Sequence, residues 1–409
     1  MDIEIVAIGD EVLYGYAVNS NASYISQQLV AHGFIPTRHA VVGDDKERVK
    51  SLLMQALQRK SLVITTGGLG PTLDDWTRKI AADLFGVPLE ANGVLKTRLE
   101  ALYGKGHPTL QDQMMQPQGA YLFENTLGSA SGFILQDQKR FGDGLLIALP
   151  GVPQEMRQMF TTKVIPYLLE NYPPNGPLFV KVLHFVDLVE HQIDPELRKM
   201  QRRFPLVHSG IYPGFSTVTV HLMAGQKEAL DPAVGYLRER FAKNLYESPT
   251  GTLSEALHLE LVKKKITIAT AESCTGGALG ASFVQHPGAS SYYLGTIVAY
   301  ANSVKIQQLD VMPETLKSHG AASVEVTQEM ARSVRQKLGA DLGIAVSGIL
   351  GPTGATATQP VGTICASISY KEFSNYCWTE QLRGNRQMLL ERSVQKLLAK
   401  TLFFIRENA

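Results

Sequence analysis

The segment Ala269–Gly277 reads Ala-Thr-Ala-Glu-Ser-Cys-Thr-Gly-Gly, between an alternating apolar run, Ile266-Thr267-Ile268, and a helical run, Ala278–Val284. A serine at a strand-to-helix junction presents its hydroxyl at the end of a sheet, beside N–H groups that have no partner inside the helix. Such groups can stabilise an oxyanion, the main requirement of acyl transfer. The same position also suits a plain N-cap, where serine and threonine are preferred. Lys305 opens another helical run, where the positive helix terminus disfavours an ammonium. To act as a base, a lysine must lose about three units from ~10.4, at a cost of about 4 kcal/mol. The plain alternative is a surface lysine. The chain offers no His–Asp pair for a Ser-His-Asp triad, so Lys305 is the leading candidate base for Ser273.

Two glycine-rich stretches follow strand-like runs. Thr66-Gly67-Gly68-Leu69-Gly70-Pro71-Thr72-Leu73-Asp74-Asp75 places three glycines within four positions. Their backbone can approach a phosphate closely and offer several N–H donors. Two adjacent carboxylates then suit a hard cation such as Mg²⁺, which takes oxygen ligands and bridges to phosphates. The spacing matches neither the P-loop nor the dinucleotide fingerprint, and a glycine turn with an aspartate N-cap reads equally well. Ser347-Gly348-Ile349-Leu350-Gly351-Pro352-Thr353-Gly354 is the second stretch, suited to a phosphate or ribose. Arg386 starts the closing helix, either as a planar phosphate clamp or as a solvated helix-start residue.

These residues need a scaffold. Strand-like Ile3–Ile8, Arg38–Val42 and Ser61–Thr65 alternate with helical runs at Asn21–His32 and Glu47–Arg59. That alternation predicts an α/β fold, a parallel sheet with helices on both faces and ligands at the strands' carboxyl ends. Pro/Gly/Ser/Thr-rich segments at 172–177 and 248–252 divide the chain into 1–172, a small α+β module over 177–248, and 251–409. A length of 409 residues suits two or three domains. The net charge of +1 and the lack of basic–aromatic stripes argue against direct nucleic-acid binding. Three cysteines without metal-site spacing imply a reducing compartment. An acidic N-terminus and the lack of a spanning apolar run imply a cytoplasmic protein with no membrane partner.

Taken in order, the motifs resemble the CinA family (competence/damage-inducible protein A). The N-terminal third is similar to that family's molybdopterin-binding-like domain through Gly9-Asp10-Glu11, Asn19, Asn21, Gly43-Asp44, Gly67–Asp75, Asn125, Gly128 and Leu149–Met156. The last third resembles nicotinamide-nucleotide amidase through Ala271–Gly277, Tyr300/Asn302/Lys305, Ser347-Gly348-Ile349, Gly351-Pro352, Pro360–Thr363 and Arg386. The resemblance implies a doubly wound N-terminal sheet and a C-terminal α/β amidase domain that converts nicotinamide mononucleotide to nicotinate mononucleotide and ammonia without a cofactor. It makes Ser273 the nucleophile, Lys305 the base and Tyr300 an aid to proton transfer. Thr275, Gly276 and Gly277 would serve the oxyanion, and Ser347, Gly348, Gly351, Asn302 and Arg386 the nucleotide. For the N-terminal domain it implies a divalent-cation-dependent ADP-ribose pyrophosphatase. There Asp74 and Asp75 would lie at the metal, and Glu11, Asn19, Gly67, Gly68, Gly70, Thr72 and Asn125 around the nucleotide. It also implies a homodimer. The family's name raises a non-enzymatic role in DNA uptake, and its fold raises molybdopterin binding. The chain departs from the pattern at Asp10, where the family usually has threonine, and at Gln359, where it usually has lysine.

Overall fold

The computed structural model describes residues 2–72, 74–105, 110–174, 176–214, 216–356, 359–371 and 374–408. The chain forms two compact units, residues 1–180 and 181–409.

In the first unit, strands β1 (Ile3–Ile8), β2 (Arg38–Val42) and β3 (Leu62–Thr66) lead to a separate ribbon of β4 (Leu89–Ala91) and β5 (Met115–Pro117). Strands β6 (Tyr121–Phe123), β7 (Gly132–Gln136) and β8 (Leu145–Leu149) complete a six-stranded sheet in the order β2-β1-β3-β8-β7-β6. Pairs β2-β1, β1-β3 and β3-β8 are parallel, whereas β7 and β6 join antiparallel. The sheet is therefore mixed where the sequence pattern suggested a parallel one. Residues of β1, β3 and β8 divide by alternation between two buried cores, Ile3/Ile5/Ile64/Ile147 in one and Val6/Ile8/Val63/Leu146 in the other. Both faces are thus covered, which is why these strands read as continuous apolar runs.

The second unit holds two sheets. Strands β9 (Phe179–Val186), β10 (His208–Pro213), β11 (Thr217–Ala224) and β12 (Leu245–Tyr246) form the order β10-β11-β9-β12, with helices Glu190–Arg203 and Lys227–Arg240. Val186 and Tyr246 are buried in the same core as the closing helix, and Lys396 of that helix bridges Asp187 at 2.5 Å. Residues of the linker-bounded module thus belong to one compact unit with the C-terminal segment.

Strands β13 (Ile268–Glu272), β14 (Tyr293–Val298), β15 (Leu342–Gly348), β16 (Thr363–Tyr370) and β17 (Ser374–Gln381) make the other sheet, in the order β14-β13-β15-β16-β17. The first three are parallel, and β16 and β17 are antiparallel. One face of the central pair is large, with Ile268, Leu342, Ile344 and Val346. The other is small, with Ala269, Ala271 and Ala345 packed beside Val326, Met330 and Val334 of the helix Val324–Leu338. Gly343 shows how close that helix comes, since a Cβ there would lie 2.2 Å from the Ala331 carbonyl oxygen. By alternation, the residue after Ala269 and Ala271 on this face is Ser273, and the one after Gly343 and Ala345 is Ser347. Chain connections leave β13 in one direction and reach β15 in the other, so the crevice at the carboxyl ends of these strands is the expected ligand position.

Candidate functional site

Ser273 is the first residue beyond β13 and still belongs to the ladder, its N–H donating to Val346 O at 3.0 Å. Beyond β14 the chain turns at Tyr300-Ala301 into the helix Asn302–Leu309, which carries Lys305 in its first turn. Lys305 is 1% exposed, and its Nζ lies 3.1 Å from Ser273 Oγ, 2.9 Å from Ala299 O and 3.1 Å from Tyr300 O. Burial pushes the lysine below its ordinary value. A neutral amine has two N–H donors and one lone pair. With the two carbonyls taking the N–H groups, the lone pair is left for the Ser273 hydroxyl proton. The same three partners also satisfy the ammonium, so the amine can gain and lose a proton without rearrangement.

Around this pair lies a cavity of about 350 Å³, lined also by Tyr300, Asn302, Ser347, Gly348, Gln359 and Arg386. Arg386 donates to Gly351 O at 2.8 Å and to the Tyr300 hydroxyl at 3.3 Å, which fixes its guanidinium on the cavity wall. Gly351 therefore contributes by holding Arg386. Gly348 has to be glycine, because a Cβ there would lie 2.5 Å from Thr363 O. Cys274 also lines the cavity, its thiol pushed up to about 12 by burial.

Two expectations change here. Thr275, Gly276 and Gly277 are not among the lining residues, because Glu272 occupies the helix start. The Glu272 carboxylate is fully buried and accepts from Thr275 Oγ1 (2.7 Å) and from the N–H groups of Gly277 (2.9 Å), Leu279 (3.1 Å) and Gly280 (2.7 Å). Gly276 N–H turns back to Ser273 O at 3.2 Å. Glu272 thus takes up the Gly277 N–H and the Thr275 hydroxyl, and Ser273 O the Gly276 N–H, which removes two of the three N–H groups that the pattern reserved for an oxyanion. The second change concerns Tyr300. Its main-chain carbonyl touches the lysine, while its phenol is bonded to Arg386 and is not joined to Ser273 or Lys305.

The first unit has a cavity of about 390 Å³ at the carboxyl ends of β1, β3 and β8, lined by Gly67, Gly68 and Gly70. Gly67 has φ 108° and passes so near β1 that a Cβ would lie 2.0 Å from Ile8 O. The loop is held from behind by buried Arg78, which donates to Leu69 O (2.6 Å) and Gly70 O (2.9 Å). Five carboxylates line the cavity, those of Glu11, Asp44, Asp74, Asp75 and Glu155. Asp44 is raised above the usual aspartate range by burial and by its neighbours Asp10, Asp74 and Glu11. Asp10 and Asp44 also accept each other's main-chain N–H groups, at 3.2 and 2.9 Å.

Several expected N-terminal ligands have structural partners instead. Asp75 accepts from the Thr72 N–H at 2.9 Å and also from its hydroxyl, and Thr72 itself is off the cavity wall. Asn125 is 1% exposed; it donates to Glu155 at 2.7 Å and to Ala130 O, and accepts from Leu127 and Gly128 N–H. It holds a wall without lining it. Asn19 caps the helix Ser20–Ala31 through Ala22 N–H at 3.1 Å and lines a smaller neighbouring cavity with Glu11. Among the described residues, no three His, Cys, Asp or Glu groups converge to hold a metal. Asp44 and Glu155 fall within motifs of the N-terminal resemblance, and Gln359 stands just beyond the second glycine-rich stretch, but none was given a role there. The Gly320–Ala322 connection was not picked out at all, because it precedes the Ser347 loop by about 25 residues and only the fold brings it to the cavity.

Among the described residues, no helix is long and apolar enough to cross a membrane. Residues 4–170 match a family model described as a probable molybdopterin binding domain, and residues 250–404 one described as CinA C-terminal domain. A CinA-like protein of Gemmatimonas aurantiaca is 35% identical over 410 residues, covering 97% of this chain and 95% of its own. A CinA-like protein of Synechocystis sp. is 35% identical over 381 residues, 90% of each chain. The crystal structure of the protein CinA from Thermoplasma acidophilum matches with a TM-score of 0.37 at 32% identity, over 40% of this chain and 97% of that one. With both domain types present in order and similarity along almost the whole length, the chain belongs to the CinA family.

Proposed function

We propose that the second unit hydrolyses the carboxamide of a mononucleotide, nicotinamide mononucleotide being the substrate that the family resemblance implies. The carrying observation is the buried Lys305 amine 3.1 Å from Ser273 Oγ, with its other two bonds on main-chain carbonyls. Ser273 gives its proton to neutral Lys305 as Oγ attacks the carboxamide carbon. Lys305 then returns that proton to the departing nitrogen, which leaves as ammonia and an acyl-serine. Water next attacks the ester carbon, its proton passing to Lys305 and then to Ser273 Oγ as the carboxylate is released. Arg386 is the fork for the phosphate.

In the test, ammonia release from nicotinamide mononucleotide is assayed in the full chain and in Ser273→Ala. A fall of about 10³-fold or more is expected with the Tm unchanged. Equal turnover in the two proteins would sink the proposal.

The acidic cavity favours a second reading, a cation-dependent nucleotide pyrophosphatase in the first unit. The observation in its favour is Asp44, raised first by burial and then by the neighbouring carboxylates of Asp10, Asp74 and Glu11, because a divalent cation would relieve that crowding. Asp44 and Asp74 would hold the cation, which would supply positive charge to a pyrophosphate such as that of ADP-ribose. Asp75, engaged by Thr72, would orient the loop.

A further inference from the structure

One wall of the Ser273–Lys305 cavity is the short connection Gly320–Ala322, between the helices Pro313–His319 and Val324–Leu338. Three side chains hold its carbonyls. Ser347 Oγ donates to Ala321 O at 2.7 Å, Cys365 Sγ to Ala322 O at 3.1 Å, and Gln359 Nε2 to Ala322 O at 2.9 Å. Ser347 and Cys365 are register partners on β15 and β16, so their positions come with the sheet. Gln359 comes from a loop. Its main chain closes on Thr356, with Gln359 N–H donating to Thr356 Oγ1 at 3.0 Å and Thr356 N–H to Gln359 O at 2.9 Å. It also lines the cavity itself.

The charge pattern of the lining gives this amide a second consequence. Among the described lining residues the basic groups are Lys305 and Arg386, and none is acidic. Lys305 is buried and bonded to Ser273, which leaves Arg386 as the one cation placed for a ligand's anionic group. An amide can brace Ala322 O while adding no charge; an ammonium would brace it and add one.

We propose that Gln359 is a positioning residue of this site. It fixes the Gly320–Ala322 wall and, being neutral, leaves Arg386 as the lining cation that holds a ligand's phosphate. This rests on the amidase reading given above.

The test compares the full chain with Gln359→Ala, Gln359→Glu and Gln359→Lys. Ammonia release is measured from nicotinamide mononucleotide and from its dephosphorylated riboside. Thermal shifts with ribose 5-phosphate serve as a non-reacting probe. Gln359→Ala is expected to raise KM for the mononucleotide about 3- to 10-fold with kcat within about twofold, the size of one lost hydrogen bond. Gln359→Glu has no donor and adds an anion, so its KM for the mononucleotide exceeds that of Gln359→Ala, while the two match on the riboside. Gln359→Lys keeps a donor and returns the mononucleotide KM to or below the parent value. A purely structural loop residue would give equal Ala and Glu effects and no benefit from lysine, and that outcome overturns the proposal. If the parent chain releases no ammonia at all, the amidase reading fails on its own account. The order Lys, Gln, Ala, Glu in ribose 5-phosphate stabilisation then still supports Gln359, and its absence sinks it.

Discussion

Both units place a glycine-rich loop at the carboxyl ends of parallel strands, yet their cavities carry opposite charge. The cavity at Gly67–Gly70 is lined by five carboxylates and, among the described residues, no basic side chain. The cavity at Ser347–Gly348 is lined by Lys305 and Arg386 and, among the described residues, no acidic side chain. Similar backbone geometry therefore does not choose the ligand; the side chains around it do. An anionic substrate can enter the second cavity unaided, whereas the first would repel a phosphate until a cation is bound.

The comparison can be broken most decisively at Lys305. Lys305→Met is expected to lower ammonia release about 10²- to 10⁴-fold, while any cation-dependent turnover in the first unit stays intact. In the parent chain the rate should rise with pH through the lysine's lowered value, because only the neutral amine accepts the Ser273 proton. A pH–rate profile with no such limb would argue against Lys305 as the base. A smaller effect is expected at Arg386. Arg386→Ala should raise KM about 10- to 100-fold for nicotinamide mononucleotide, as the loss of a charge-assisted pair would, and leave the riboside nearly unchanged. Equal losses on both substrates would remove the phosphate role.

Glu272→Gln tests whether the helix start is held by an anion of the protein. It replaces one acceptor oxygen of a fully buried carboxylate by a donor, so denaturant titration should show a loss of about 1–3 kcal/mol. A wild-type midpoint would contradict that network. The smallest effect concerns Asp44. A carboxyl raised on folding binds its proton more tightly in the native state, so stability falls as pH rises from the unfolded value through the native one. At neutral pH without divalent cations, Asp44→Asn should therefore melt about 1–2 °C above the parent, and Mg²⁺ should narrow the gap. A gap that Mg²⁺ leaves untouched would speak against cation binding there.

Much of this was legible in the chain. Ile3–Ile8 and the helical run at Glu47–Arg59, observed at Lys46–Gln58, form the elements their patterns predict, because the first is buried on both faces and the second has an Asp45 cap. Ser273, Lys305 and Arg386 were visible as types at junctions, and the fold brings all three to one cavity. What sequence could not supply was the state of each donor. Gly277 looks like a free helix N–H in a linear motif, and only the buried approach of Glu272, five residues earlier, shows it taken. Asp75 reads as a carboxylate with both oxygens open until Thr72 is seen to bond one of them. The antiparallel joining of β7 and β17 was equally hidden, since strand direction depends on long-range pairing and leaves little trace in local periodicity.

The main-chain bond from Ser273 to Val346 makes Ser273 the last rung of the central ladder. Its amide hydrogen can exchange with deuterated solvent only when that end of the sheet opens, so it should be retained about as long as those of the core strands. A ligand that stacks against this end would lengthen that lifetime, giving each binding event a readout that needs no turnover.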